Sequence, residues 1–365
     1  MSKLKDKADE LRDKVADKLP DKLRKKDAPL TITNDTIAEH REKILAGGRK
    51  FKYPLQYSKH KILINVCVIV LVALVAFGVW LWAMLYRTQA TGDFYYNATR
   101  VLPLPVANVD GQNVPYSDYL RRIRADIYYY ENQESKSFNT ADGRRELNYN
   151  KRKELDAAEK TAYAYKLARL RKISVSDAET DAKITAQRQA DGSDEAAVTR
   201  MLKSYYNWTM SEYKQTVHDQ LLEQKVAFAV DQTAKNKVDE VEKRLRNGEG
   251  FAAVAKDMSD DPLTKNSGGE MIAKTADADP NGIIAAARRL QPGQVSGAIA
   301  GVGRDATLND RYAYFIVKLI SKTDDETEYA VIAIGLNEFD NEFASLKDKG
   351  KISEYIKVPA ADAAD

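Results

Sequence analysis

Enzymes need side chains that move protons, attack carbon or hold metal, and this chain has few of them in useful spacing. Cys67 is the one cysteine, so an intramolecular disulfide framework and a cysteine zinc cluster are excluded. The three histidines, His40, His60 and His218, lie far apart, and no HExxH spacing occurs. A GxxxxGK(S/T) phosphate loop and a GxSxG nucleophile turn are also missing. Metalloenzymes, cysteine hydrolases and P-loop NTPases are therefore not expected, and neither is a metal or a cofactor. What remains for chemistry is Asp, Glu, Tyr or Lys. Tyrosine is plentiful, with 20 residues, three of them consecutive at Tyr128, Tyr129 and Tyr130.

The elements that must position these groups follow from composition. The chain has 365 residues, enough for two or three folded units. It is 44% apolar and 30% charged with a net charge of +3, so nucleic acid is not an expected partner. Ile62 to Tyr86 is a run of 25 residues without a charge, flanked by Lys59, Lys61 and Arg87. At about 1.5 Å per residue it is long enough for a hydrocarbon core of roughly 30 Å. Trp80, Trp82 and Tyr86 gather at its second end, where such rings suit the headgroup region. A cleaved signal peptide is not expected, because the preceding leader and the apolar run are both too long. Residues 1–61 hold 17 Lys+Arg and 10 Asp+Glu, a net of +7, against a net of −4 for residues 62–365. The positive-inside rule then predicts a single-pass cell-membrane protein, N-terminus cytoplasmic and residues 88–365 outside.

In the basic tail, Leu4, Ala8, Leu11, Val15 and Leu19 recur at helical spacing over residues 3–26. This is either a helix lying on the inner leaflet or a solvated one. Pro29, Gly47, Gly48 and Pro54 mark residues 27–60 as a loosely ordered linker. Beyond the membrane, residues 87–104 read as a spacer. Val106 to Val114 reads as a hairpin turning on Asp110-Gly111, and Ser117 as the cap of a helix carrying Tyr119, Leu120, Ile123 and Ile127. A long helix follows over residues 141–172, with Leu155, Ala158, Ala162, Tyr165 and Leu170 on roughly one side. Ser176/Glu179 and Thr209/Glu212 have capping-box spacing for helices reaching about Ala190 and Phe228, with another from Ser193 to about Tyr206 between them. Helices this polar must be stabilised by packing on one another. His218 falls on the last, where an ordinary surface or core position explains it.

The stretch VANVDGQNVPYSDYLRRIR resembles the opening strand and helix of the SurA-like and PrsA-like extracytoplasmic chaperones. ISVSDAETDAKI and YYNWTMSEYKQTVHDQLLEQKVA resemble that family's later helices, so the likeness covers about residues 105–230. Further on, KVDEVEKRLRNGEGFAAVAKDMSDDPLTKNSGGEMI, RRLQPGQVSGAIAG and YAYFIVKLISK resemble a parvulin-type (PpiC, rotamase) peptidyl-prolyl isomerase domain.

The second resemblance implies a chemistry. X-Pro rotation has a barrier near ~20 kcal/mol set by amide resonance. A catalyst needs an apolar cup for the proline ring and polar groups tuned to the twisted carbonyl. Parvulins supply two buried histidines, an Asp or Cys, and Met/Phe-type walls. By resemblance, Asp261 takes the Asp/Cys place, although turn chemistry at Ser259-Asp260-Asp261-Pro262 accounts for it as well. Met271, Ile283 and Phe315 would wall the cup, with Phe315 where the last strand's histidine usually sits. The family's first strand, with the other histidine, is missing before Thr233. The segment from Glu328 to Leu336, EYAVIAIGL, is similar to it and has Ala333 at the histidine's place. It either fills the gap in a permuted order or starts an unrelated strand and helix. Residues 234–365 contain no histidine at all.

The expected fold class is α+β: one transmembrane helix, a mainly helical SurA-N-like chaperone domain and a degenerate parvulin-like α/β domain. The expected organisation is a tail (1–61), a membrane helix (62–86), a spacer (87–104), the helical domain (105–232) and the parvulin-like domain (233–322). A C-terminal strand and helix (323–358) pack back on the exterior domains, with residues 337–358 helical around Phe339, Phe343 and Leu346, and residues 359–365 form a disordered tail. The implied function is that of a membrane-anchored chaperone or foldase for unfolded or nascent secreted and membrane polypeptides, with little or no isomerase activity. Tyr128, Tyr129 and Tyr130 are candidate contacts for such clients, since tyrosine gives large area at low entropy cost. Three consecutive rings cannot all point one way on a helix, so at least one should be exposed, although packing between helices is their ordinary use. Two rivals stand beside this reading: an active isomerase using Asp261, and a membrane-anchored adaptor for one defined partner.

Overall fold

The computed structural model describes residues 33–52, 54–275, 277–279, 281–303 and 311–359, with the side chains of 49–60 left aside. The amphipathic pattern of residues 3–26 and the tail beyond Pro359 lie outside the described residues. The chain forms two compact units, Met1–Gly78 and Val79–Asp365.

In the first unit, the stretch expected to be a loose linker is helical from residue 34. α1 spans Asn34–Lys52 and α2 spans Pro54–Tyr86. Gly47 and Gly48 cost about 1 kcal/mol each in a helix interior, offset by the helix formers around them and by the Glu39–Lys43 pair at 3.1 Å. Pro54 sits at the first helical position, where its missing N–H is not needed. Among the described residues, α2 is the one helix long and apolar enough to cross a membrane.

The second unit begins inside α2. The expected spacer holds a helix, α3 (Asp93–Val101), with Tyr96 and Thr99 buried. β1 (Pro105–Val109) and β2 (Gln112–Pro115) pair antiparallel through Asp110 (φ 46°) and Gly111 (φ 88°), the two positive φ values that a tight hairpin matched to strand twist requires. α4 (Tyr116–Asn132) starts before Ser117, which therefore does not cap it. The strand runs straight into the helix, and the Leu104 carbonyl accepts the Tyr116 N–H at 2.8 Å.

α5 (Ala141–Arg171) is the centre of the helical layer, buried on most sides at Leu155, Ala158, Glu159, Thr161, Ala162 and Ala164. Leu170 is exposed, contrary to expectation, because it follows Tyr165 by five residues, about 140° round a helix of 3.6 residues per turn. α6 (Asp177–Ala190) and α8 (Met210–Val230) open with the capping boxes read from the sequence. α7 (Glu195–Tyr206) is capped by Asp194 rather than started by Ser193. The Asp194 carboxylate accepts the Ala197 N–H at 2.6 Å and suits the positive helix end.

α9 (Gln232–Arg246) and α10 (Phe251–Met258) lead into β3 (Glu270–Lys274), α11 (Ile283–Arg289), β4 (Ile299–Val302), β5 (Tyr312–Lys322) and β6 (Glu326–Gly335). The strands form an antiparallel sheet in the order β3-β6-β5-β4. One face, with Phe315, Val317, Leu319, Tyr329, Val331 and Ala333, packs under Ile284 and Ala287 of α11. The other, with Ile316, Ile332 and Ile334, is continuous with the core of α9, α10 and the helical layer. Burial on both faces explains why β6 reads as a nearly unbroken apolar run. The segment EYAVIAIGL thus fills an interior place in the sheet although it is the last of the sheet's strands in chain order. Gly269 permits the join beside it: at φ 82°, an added Cβ would come within 2.2 Å of the Val331 carbonyl oxygen.

Residues 337–358 are not one helix. α12 (Glu338–Asp348) stacks Phe339 on Tyr163 of α5 at 5.8 Å. The chain turns at Gly350 (φ 63°), and β7 (Ile352–Glu354) pairs with β1 to make a three-stranded sheet. Arg152 of α5 fastens it with two hydrogen bonds to Glu354, at 2.6 and 3.0 Å.

Candidate functional site

Two places gather the residues of interest. On the isomerase-like sheet, Phe315 of β5 lies directly opposite Ala333 of β6. These are the two positions where the family resemblance puts histidines, so the fold brings them together as cross-strand neighbours. Both are buried, and what meets there is a phenyl ring and a methyl group. Neither can carry a proton or donate to a carbonyl. Met271 lies opposite Tyr329 on the same sheet face and is 40% exposed, and Ile283 in the first turn of α11 packs against that face.

Asp261 is buried beside this sheet, but its carboxylate is occupied. One oxygen accepts the Leu263 N–H at 2.9 Å, and the other accepts the Thr264 hydroxyl at 2.5 Å. The preceding residues are sewn to β6: Ser259 Oγ accepts the Ala333 N–H at 3.2 Å, and the Asp260 N–H donates to the Ala333 carbonyl at 2.7 Å. This is loop capping, the turn chemistry visible in the sequence.

The tyrosine run is elsewhere, on α4, and all three rings are half-buried rather than exposed. Tyr128 lines a small cavity of about 220 Å³ with Tyr206 and Trp208. Tyr129 stacks on Tyr205 and Tyr206 at 6.5 and 6.4 Å, and Tyr130 meets Phe138 at 6.4 Å.

The second place is a cleft of about 760 Å³ in the helical layer, between α4, α5, α8 and the segment Ile173–Val175. Small residues on α5, Ala158, Ala162 and Ala168, leave the room, and Ile173, Val175 and Leu222 wall it. Its floor is polar. Arg121 is buried and donates to Asp219 at 2.7 Å, and also to Asp118 and Thr216. Asp219 further accepts the Tyr165 hydroxyl and the Gln215 amide, each at 2.8 Å. Burial, with the Asp219 charge beside it, holds the Tyr165 hydroxyl well above its ordinary pKa, so it stays a donor. His218 stacks on Tyr165 with its Nδ1 3.2 Å from the hydroxyl, half-buried on the cleft wall. A buried charge surrounded this fully is tolerable only because each partner is present. Sequence reasoning missed Arg121. Its signal was an arginine three residues after Asp118 inside the stripe Leu120–Ile123, a place where an unpaired charge could not stay. Among the described residues, no three His, Cys, Asp or Glu side chains gather as a metal site.

Comparison with known proteins places both regions. Residues 56–227 match the SurA-like N-terminal domain, and residues 221–321 match the PPIC-type PPIASE domain. The chain therefore carries a SurA-like domain followed by a PpiC α/β domain. It is 28% identical over 162 residues to the foldase protein PrsA of Clostridium kluyveri, covering 43% of this chain and 42% of that protein. It is 27% identical over 135 residues to the chaperone SurA of Shigella dysenteriae, covering 35% of this chain and 29% of that one. The chain thus spans less than half the length of the curated relatives it matches. A crystal structure of a peptidylprolyl isomerase (PrsA) from Bacillus anthracis is 18% identical over 51% of this chain and 82% of that one, with a TM-score of 0.17, too low to bear on the fold.

Proposed function

We propose that this protein is a membrane-anchored extracytoplasmic chaperone that holds unfolded or nascent secreted and membrane polypeptides, with little or no prolyl isomerase activity. The observation that carries this reading is the open cleft in the SurA-like domain. Its apolar walls, Ile173, Val175 and Leu222, suit client side chains. The names of the two relatives, a foldase and a chaperone, agree with it. Met271 and Ile283 then serve as a second client contact and Tyr128–Tyr130 as a third, while Phe315, buried under α11, packs the sheet instead of meeting a client. Asp261 serves its loop. The charge asymmetry across residues 62–86 supports a cytoplasmic N-terminus, with residues 3–26 able to meet the inner leaflet and the helical and parvulin-like domains (105–232 and 233–322) outside.

The test uses the full chain in lipid nanodiscs with an aggregating unfolded client, read by light scattering, and a short X-Pro peptide, read by isomerisation rate. Aggregation should be suppressed, and Val175→Trp, which fills the cleft, should abolish most of the suppression. Neither the natural chain nor Asp261→Ala should speed isomerisation. Acceleration that disappears with Asp261→Ala would make the protein an enzyme and overturn the reading, and unsuppressed aggregation would remove the chaperone role.

A further inference from the structure

The apolar run Ile62–Tyr86 is longer than a bilayer needs. About 20 residues cross roughly 30 Å of hydrocarbon, so the run has about five to spare. The second unit takes up that surplus. Leu81 and Leu85 are buried in its core, the Tyr116 hydroxyl donates to the Leu85 carbonyl at 2.6 Å, and the Tyr86 hydroxyl donates to the Pro105 carbonyl at 2.7 Å. Trp80 and Trp82, on either flank of Leu81, stay exposed.

Helix α3 lies against the Trp80 flank. The Trp80 ring lies 5.9 Å from Phe94 and 6.0 Å from Tyr95. Phe94 and Val101 are seven residues apart and share one stripe of α3, which Leu102 extends. All three are exposed, Val101 at 81%. The reverse side of α3 holds the buried Tyr96 and Thr99, and Tyr96 and Arg100 line the 760 Å³ cleft.

We propose that α3 is an interfacial helix whose Phe94, Val101 and Leu102 lie in the headgroup–acyl boundary of the bilayer, continuous with the Trp80/Trp82 belt. This rests on the reading that residues 62–86 span the membrane. Three observations select lipid as the occupant: continuity with an uncharged helix, an aromatic cluster at its end, and an amphipathic helix beside that cluster. The exterior unit is then seated on the membrane instead of tethered above it. Because α3 also forms one wall of the cleft, the cleft is held about one helix diameter, ~10 Å, from the lipid surface. A client segment leaving the bilayer meets it without crossing open solvent.

The test uses the full chain with Cys67→Ala and single cysteines at position 94 or 101, each bearing a nitrobenzoxadiazole dye. Two controls are Leu71→Cys in the apolar run and Ile272→Cys, an exposed apolar site on β3. The protein is reconstituted into phosphatidylethanolamine–phosphatidylglycerol vesicles containing a lipid with a nitroxide high on its acyl chain. The labels at 94 and 101 should be quenched about threefold more strongly than the label at 272. Quenching at 71 with none at 94 and 101 overturns the seat and leaves the spanning helix standing, the face then belonging to a protein partner. No quenching at 71 removes the spanning reading and the seat with it. Val101 is so exposed that its replacement leaves the fold in place, so each result is readable.

Discussion

Under the helical cleft, the buried Arg121 and Asp219 and the half-buried Asp118 form one ion-pair network with Tyr165 and Gln215 around it. At similar depth on the isomerase-like sheet, Phe315 faces Ala333. The first region keeps expensive groups and supplies every partner they need. The second has hydrocarbon where its family resemblance implies imidazoles. A buried polar group can be exchanged for an apolar one at little cost to stability, whereas removing one partner from a pair is costly. A sheet can therefore lose its proton-handling residues and keep its fold. The network under the cleft cannot be dismantled one residue at a time, so it sharpens the contrast most directly.

Of the substitutions, Arg121→Met should cost the most stability. It leaves the buried Asp219 without its cation, and stability should fall by about 3–5 kcal/mol. Urea unfolding followed by far-UV circular dichroism measures it. A loss below about 1 kcal/mol would mean the network is no more essential than a surface pair.

Glu159 on α5 tests the same contrast from the other side, because it is a buried carboxyl whose oxygens find no hydrogen-bond partner among the described residues. Burial pushes its pKa up to about 8, with Glu354 and Asp156 adding to the rise. The folded state therefore holds a proton that the unfolded state has released. Stability should be fullest below about pH 4.5, decline as pH rises towards 8, and then level off. The decline should be on the order of 5 kcal/mol. Glu159→Gln should flatten it, measured as the urea midpoint at pH 5, 7 and 9. Equal slopes in the two proteins would show that Glu159 ionises freely in the fold.

How far the sequence carried differs by region for physical reasons. Both capping boxes and the Asp110-Gly111 turn were legible because their hydrogen bonds are local, spanning three residues or fewer. The helix from Asn34, α3 and the C-terminal break at Gly350 were not. Glycine and proline mark possible ends, and only the surrounding packing decides which are used. On the sheet, the Phe315–Ala333 contact was implied only by family resemblance, since nothing local announces a cross-strand pair 18 residues apart. The cleft was illegible because its floor joins α4, α5 and α8, which are distant in sequence, through charges that composition reads as surface.

Asp261→Ala comes next in size. It removes a carboxylate that accepts from Leu263 and Thr264, so stability should fall by about 1–2 kcal/mol. The isomerisation rate should stay at the uncatalysed value. A stability loss with no kinetic change keeps Asp261 on the structural side of the comparison, and a kinetic change with no stability loss moves it across.

The smallest expected effect is also the most informative about use. Tyr165→Phe removes one hydrogen bond to Asp219, which retains Arg121 and Gln215 as donors, so the fold should lose only about 0.5–1.5 kcal/mol. Arg121→Met disturbs fold and cleft together and cannot separate scaffold from client contact. Tyr165→Phe can, because its hydroxyl lies on the cleft lining and its ring stays in place. If client holding, measured by light scattering at matched folded concentration, is unchanged, the network only supports the walls. If holding weakens several-fold while the urea midpoint barely moves, the polar floor itself touches the client, and the groups kept buried under the cleft serve binding as well as architecture.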